Sequence, residues 1–99
     1  MKNDMYIKVI DESWGENGFL GKLRDGVFDR NLFNELYASI LKLHYKEGEI
    51  IPRNVIGILW FIPTFMYRQK EYLNDTDKNA FDEMREHIED AIAGILGYP

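Results

Sequence analysis

Apolar residues recur at helical spacing along most of the chain, and this pattern predicts a mainly α-helical protein. The clearest stretch begins after Asp29, whose side chain can cap a helix, and continues to Gly48. Its apolar side returns every three or four residues, at Leu32, Phe33, Leu36, Tyr37, Ile40, Leu41 and His44. The sequence therefore predicts an amphipathic helix here, with His44 as a semi-buried packing residue at its end.

A second stretch, residues 55–62, has no polar side chain and predicts a core helix that is apolar on all sides. Pro52 precedes it where a first helical turn tolerates proline. Because proline removes a backbone donor and disfavours helical geometry in the residue before it, we expect a kink near Pro63. A membrane span needs about 20 apolar residues, so this interrupted stretch is better explained as the apolar central helix of a small bundle.

The C-terminal segment predicts a long helix with one apolar face and one acidic face. We expect its N-terminal cap at residues 75–77, where two aspartates flank a threonine. The apolar face carries Phe81, Met84, Ile88, Ala91, Ile92 and Ile95. The other face carries the C-terminal acidic stripe, which we define as Asp82, Glu86, Glu89 and Asp90.

The N-terminal third predicts a loop-rich region. Residues 5–10 fit either a short strand or a first helical turn, of which we favour the helix. Glycines at intervals through residues 13–28 predict loops around one short helix from Phe19 to Arg24, with Gly26 just past its end. The aromatic and aliphatic side chains that we expect to pin this region to the body are Trp14, Phe19, Leu20 and Phe28.

Length and composition limit what such a bundle can do. A chain of 99 residues forms one domain, residues 1–99, and buries about 60–65% of its unfolded surface, which leaves little for a deep substrate cavity. The absence of cysteine excludes disulfides, thiolate metal sites and cysteine nucleophiles. The N-terminus lacks the apolar run of a secretory signal, so we expect a cytoplasmic location.

Acidic residues exceed basic ones, and the excess is concentrated at one end. The formal net charge is -5, and residues 75–99 alone carry seven acidic and two basic side chains. This balance disfavours binding to phosphate backbones and to anionic lipid surfaces. It favours a basic protein partner, which an acidic surface attracts and orients.

A calcium loop is one chemistry that the spacing suggests. Asp75, Asp77 and Asn79 match the first, third and fifth positions of such a loop, and Glu86 matches the twelfth. However, Ala80 stands where the loop needs a residue that adopts positive φ. We therefore favour a capped acidic helix, with a calcium-responsive module as a lesser alternative.

Other candidate chemistries are weaker. Glu83, His87 and Asp90 share one helical side, but a solvated flank with a local Glu83–His87 hydrogen bond accounts for them. The glycine-rich segment before Lys22 departs from the phosphate-binding pattern at two positions. The few serines and the distant histidines give no nucleophile–base pair. We expect no enzymatic activity, no cofactor and no metal.

Three blocks of sequence resemble a family of bacterial polymorphic-toxin immunity proteins, which includes those of contact-dependent growth inhibition systems. The blocks are residues 14–18 (WGENG) with the Phe19 region, residues 57–71 (GILWFIPTFMYRQKE) and residues 95–99 (ILGYP). The central block departs from the family pattern at its Tyr-Arg pair, where a tryptophan is expected before the glutamine. The resemblance implies a small cytoplasmic antidote that binds the C-terminal domain of a cognate toxin.

The resemblance and the charge together suggest where the toxin is bound. The first set of candidate contacts is the C-terminal acidic stripe. The second set lies in a glycine-flanked loop and consists of Glu12, Trp14, Glu16 and Asn17. We expect the free protein to be a monomer or a weak homodimer. The alternative function is a small helical regulator or adaptor that self-associates through its apolar surface.

Overall fold

The secondary structure of residues 3–98, the part of the chain that this computed structural model describes, consists of six α-helices and a short 3-10 turn joined by loops. In chain order they are α1 (Asp4–Glu12), α2 (Phe19–Arg24), α3 (Arg30–Lys42), α4 (Arg53–Leu59), α5 (Ile62–Gln69), the 3-10 turn Lys70–Tyr72, and α6 (Asp75–Leu96). No strand occurs in this range, so residues 5–10 are helical and the predicted mainly helical fold is confirmed. Pro99, at the end of the third resembling block, lies outside the described residues.

The short helix α2 has the predicted bounds, Phe19–Arg24, and Gly26 follows it with a positive φ of 81°. Phe19 is buried and contacts the rings of Phe28 and Phe33 edge-on, at centroid distances of 6.2 and 5.3 Å. Phe28 in turn meets Phe81 of α6 at 5.3 Å. This chain of aromatic rings pins the N-terminal region to the rest of the protein, as expected.

Helix α3 begins as predicted and ends earlier than predicted. The Asp29 side chain accepts a hydrogen bond from the Leu32 backbone N–H at 3.0 Å, which satisfies a free donor of the first turn. The helix ends at Lys42, and the backbone is extended at Leu43. The Asn3 side chain then donates a hydrogen bond to the His44 carbonyl oxygen at 2.9 Å and accepts one from the His44 backbone N–H at 3.0 Å. The prediction of a semi-buried His44 is wrong, because its side chain is exposed.

The apolar stretch around residues 55–62 is divided between two helices. Helix α4 ends at Leu59 and α5 begins at Ile62, so the predicted break falls just before Pro63. Val55 and Leu59 are buried, but the expectation of burial on all sides is wrong, because Ile56 is 37% exposed and Trp60, which follows the helix, is 59% exposed. The reason is that α4 packs mainly against α1 on one side, which leaves its other side uncovered.

Helix α6 packs against α3 and α5. Its cap is Asn74, one residue before the predicted segment, and the Asn74 side chain accepts from the Asp77 N–H at 3.0 Å. Phe81, Ile88 and Ile92 are buried, which confirms the predicted apolar face. None of the helices between residues 3 and 98 combines the length and hydrophobicity that a membrane span requires.

Candidate functional site

The loop between α1 and α2 is held in place by its own backbone. The Ser13 carbonyl accepts hydrogen bonds from the N–H groups of Leu20 at 2.9 Å and Gly21 at 3.2 Å, two donors at the start of α2. A Cβ added to Gly21 would lie 1.8 Å from the Gly15 carbonyl oxygen, so the loop and the helix touch backbone to backbone. The glycines therefore serve close packing, and the side chains between them are presented on a fixed frame.

This loop forms one wall of a groove of about 500 Å³ whose other wall is α3. We call it the acidic groove, after its charged lining residues Asp11, Glu12, Glu16 and Glu35; Asn17 also lines it. No basic side chain of residues 3–98 lines the groove. Two of the carboxylates come from the end of α1, one from the loop and one from α3, so only the fold brings them together.

The charges in the acidic groove are largely uncompensated. Glu12 approaches Lys8 one turn earlier on α1 at 3.9 Å, but both side chains are well exposed, which makes this a weak pair. Within residues 3–98, Asp11, Glu16 and Glu35 have no ion-pair partner. The groove is therefore a local region of negative potential on a rigid backbone.

A second, more apolar cavity of about 430 Å³ adjoins this groove. We call it the tryptophan pocket; it is lined by Asp11, Trp14, Gly57, Ile58, Trp60 and Phe61. Trp14 is fixed by a hydrogen bond from its Nε1–H to the Ile58 carbonyl oxygen at 3.0 Å and by stacking on Phe61 at a centroid distance of 6.3 Å. Asp11 lines both cavities, so they are parts of one surface.

The predicted loop contacts thus divide into two roles. Glu12, Glu16 and Asn17 line the acidic groove, and Glu16 and Asn17 are exposed, as a contact surface requires. Trp14 differs, because it is half-buried and its indole N–H is already bonded to Ile58. It pins the loop to α4, and only the edge that faces the tryptophan pocket remains for a partner.

The C-terminal acidic stripe is partly neutralised by the protein itself. The Lys70 ammonium donates a hydrogen bond to Asp82, and Arg85 lies 3.8 Å from the same carboxylate. Arg85 also pairs with Glu89 at 3.2 Å. The expectation that the stripe is exposed is therefore wrong for Asp82, which is half-buried, because the turn before α6 brings Lys70 over it. The stripe residues that remain exposed and outside any ion pair within residues 3–98 are Glu86 and Asp90.

The other chemistries suggested by the sequence do not assemble into sites. Residues 75–86 lie within the continuous helix α6, so the segment has no calcium-loop geometry. No group of three or more histidine, cysteine or acidic side chains in residues 3–98 is arranged to hold a metal ion. The His87 ring stacks on Tyr37 at 6.1 Å, which replaces the predicted Glu83–His87 contact as its observed interaction.

Sequence reasoning missed three residues of this surface. Asp11 and Glu35 were left among ordinary polar positions, and Trp60 was assigned to the core. The polar faces of α1 and α3 signalled that the two carboxylates are exposed, but nothing local signalled that they share a groove. For Trp60 the pattern was misleading, because an apolar helix at the edge of a bundle resembles a buried one in sequence.

Comparison with known proteins gives no further information about this surface. A scan of protein-family models, a search of curated proteins and a search of solved structures each returned no match.

Proposed function

We propose that this chain is an immunity protein that binds a cognate toxin domain with a basic surface and thereby neutralises it. The observation that carries the proposal is the acidic groove, which is lined by four acidic residues, of which only Glu12 has an ion-pair partner within residues 3–98. The resemblance of residues 14–18, 57–71 and 95–99 to the immunity family supports the same function. The activity is binding, and it needs no catalytic group, cofactor or metal.

The physical basis is charge complementarity between the two proteins. A toxin that cleaves nucleic acid needs a basic cleft to hold the phosphate backbone. Carboxylates on a rigid frame, together with a net charge of -5, attract such a cleft at long range and raise the rate of encounter. An immunity protein that occupies or adjoins the cleft in the cytoplasm then excludes the substrate and protects the producing cell.

A self-associating helical regulator is the second candidate, and the exposure of Trp60 and Ile56 on α4 favours it. Light scattering after size exclusion separates the two functions. A stable homodimer without a tight heteromeric partner would favour the regulator, whereas a monomer that forms a salt-sensitive one-to-one complex would favour immunity. Asp11, which lines the tryptophan pocket together with Trp60, and the adjoining acidic groove oppose pairing of identical surfaces.

The direct test is a growth assay. The C-terminal domain encoded by the open reading frame immediately upstream of this chain's own gene is expressed from an inducible promoter, with and without this chain. We expect growth arrest with the domain alone and normal growth when both are present. A harmless domain, or equal killing with and without the chain, would refute immunity and make the regulator the leading function.

A further inference from the structure

Two large apolar side chains are exposed on α4 and at the residue that follows it. Trp60 is 59% exposed and Ile56 is 37% exposed, on a chain of 99 residues that has little apolar material to spare. Exposed tryptophan next to a pocket is typical of protein interfaces, where this residue often contributes much of the binding energy. The tryptophan pocket is therefore a candidate centre of an interface.

The two tryptophans of the pocket differ in how many contacts hold them. Trp14 is held by its hydrogen bond to Ile58 and by contacts with Phe61 at 6.3 Å and with Phe65 at 5.2 Å. Trp60 is bound less tightly, with a tilted contact to Phe61 at 5.3 Å. A fixed wall lowers the ordering cost of binding, and the exposed Trp60 indole offers an apolar face beside that wall.

The charges around the pocket indicate what can occupy it. Asp11 stands at the boundary with the acidic groove, and no basic side chain of residues 3–98 lines either cavity. The Arg68 guanidinium stacks on the Phe61 ring at 5.5 Å, and Phe61 lines the tryptophan pocket, so the uncompensated negative charge lies on the side of Asp11 and the acidic groove. An occupant that carries a cationic side chain next to an apolar one would place the cation in the acidic groove and the apolar side chain in the tryptophan pocket.

A second copy of this chain fits the surface poorly. In a two-fold pair centred on the tryptophan pocket, the Asp11 of each copy would lie within the interface, with both acidic grooves adjoining it. Like charges brought together in this way disfavour the pair. The same negative potential disfavours nucleic acid and anionic membranes.

We infer that the tryptophan pocket is a docking site for a basic protein segment that inserts an aliphatic side chain beside Trp60 and places a neighbouring lysine or arginine in the acidic groove. The inference rests on the proposed function only for the identity of the natural partner, which would be the toxin domain. It moves the centre of the partner contact from the C-terminal acidic stripe to the edge formed by α1 and α4.

The test uses the whole chain and a blocked synthetic peptide of alternating lysine and leucine as the probe. The chain has two tryptophans and both line the pocket, so their indole N–H signals in two-dimensional NMR report its occupation directly. The peptide is titrated to about 5 mM, a range in which millimolar dissociation constants can be measured. Matched peptides replace every lysine with glutamate, or every leucine with serine.

We expect saturable shifts at the Trp60 indole and at the backbone amides of residues 11–17 and 57–61, weakened by salt. Addition of either replacement peptide should not shift these signals. Trp60→Ser should weaken the binding of the lysine–leucine peptide about tenfold or more, whereas Tyr72→Ser, an exposed aromatic residue on another surface, should not. Circular dichroism checks that both variants are folded.

Shifts confined to the C-terminal acidic stripe, equal shifts with the glutamate peptide, or no shifts at all would overturn the inference. The result of the peptide titration can be distinguished from that of the growth assay. Peptide binding without rescue would keep the docking site and reject the toxin as its partner. Rescue by Trp60→Ser equal to that by the wild type, with no peptide shifts, would keep immunity and reject this site.

Discussion

The indole Nε1–H of Trp14 donates a hydrogen bond to the backbone carbonyl of Ile58, 44 residues later in the chain, at 3.0 Å. This contact joins the loop after α1 to α4, and the Trp14 ring continues the connection by packing on Phe61 and Phe65. The walls of the acidic groove and the tryptophan pocket thus depend on the same side chain. Disturbing Trp14 should therefore affect both stability and binding.

The first prediction concerns that hydrogen bond. Trp14→Phe keeps an aromatic ring but removes the donor to Ile58, so we expect a loss of about 1 kcal/mol in the free energy of unfolding. Urea denaturation followed by circular dichroism measures it. Trp60→Phe is the matched control, because Trp60 is mostly exposed, and it should change stability by no more than about 0.5 kcal/mol. Equal losses in the two variants would show that the hydrogen bond contributes nothing.

The second prediction concerns the contact between Gly21 and Gly15. Gly21→Ala would place a Cβ 1.8 Å from a carbonyl oxygen of the backbone, which cannot move without displacing the loop. We expect destabilisation of at least about 2 kcal/mol, measured by thermal or urea unfolding. Gly94→Ala in α6 is the control, since its Cβ meets nothing within 4 Å, and it should stabilise the protein by about 0.5–1 kcal/mol. A fully stable Gly21→Ala variant would contradict the close approach.

The third prediction separates two members of the C-terminal acidic stripe. Asp82→Ala removes the partner of Lys70 and a neighbour of Arg85 in a half-buried position, so we expect a loss of about 1 kcal/mol in stability. Glu86→Ala should be nearly neutral, because Glu86 is exposed and pairs with no residue in the range 3–98. Denaturant unfolding at low and high salt measures both variants. A neutral Asp82→Ala would mean that the ion pair is offset by desolvation.

The fourth prediction compares the two acidic surfaces as contacts for the cognate toxin. Reversing the charges of Glu16 and Glu35 in the acidic groove should slow association about tenfold at low salt, because the steering field is lost. Reversing Glu86 and Asp90 should slow association less, since they lie on α6, which contributes no lining residue to the acidic groove or to the tryptophan pocket. Stopped-flow association at two salt concentrations makes the comparison. A larger effect from the second pair would return the contact to α6.

Local patterns in the sequence determined the secondary structure well. The bounds of α2, the Asp29 cap and the helix break before Pro63 all follow from interactions within a few residues. The apolar face of α6 was also correct, because helical periodicity places its members on one side whatever the helix packs against. These features depend on backbone geometry and spacing, which a sequence records directly.

Only the tertiary structure decided which surfaces are exposed and which charges are free. Asn3 binds the His44 backbone just after α3, and Lys70 neutralises Asp82, although neither pair is close in sequence. The acidic groove needs Glu35 of α3 beside the loop after α1. Each outcome depends on distances between separate helices, and the spacing of residues along one helix carries no information about which neighbour will cover it.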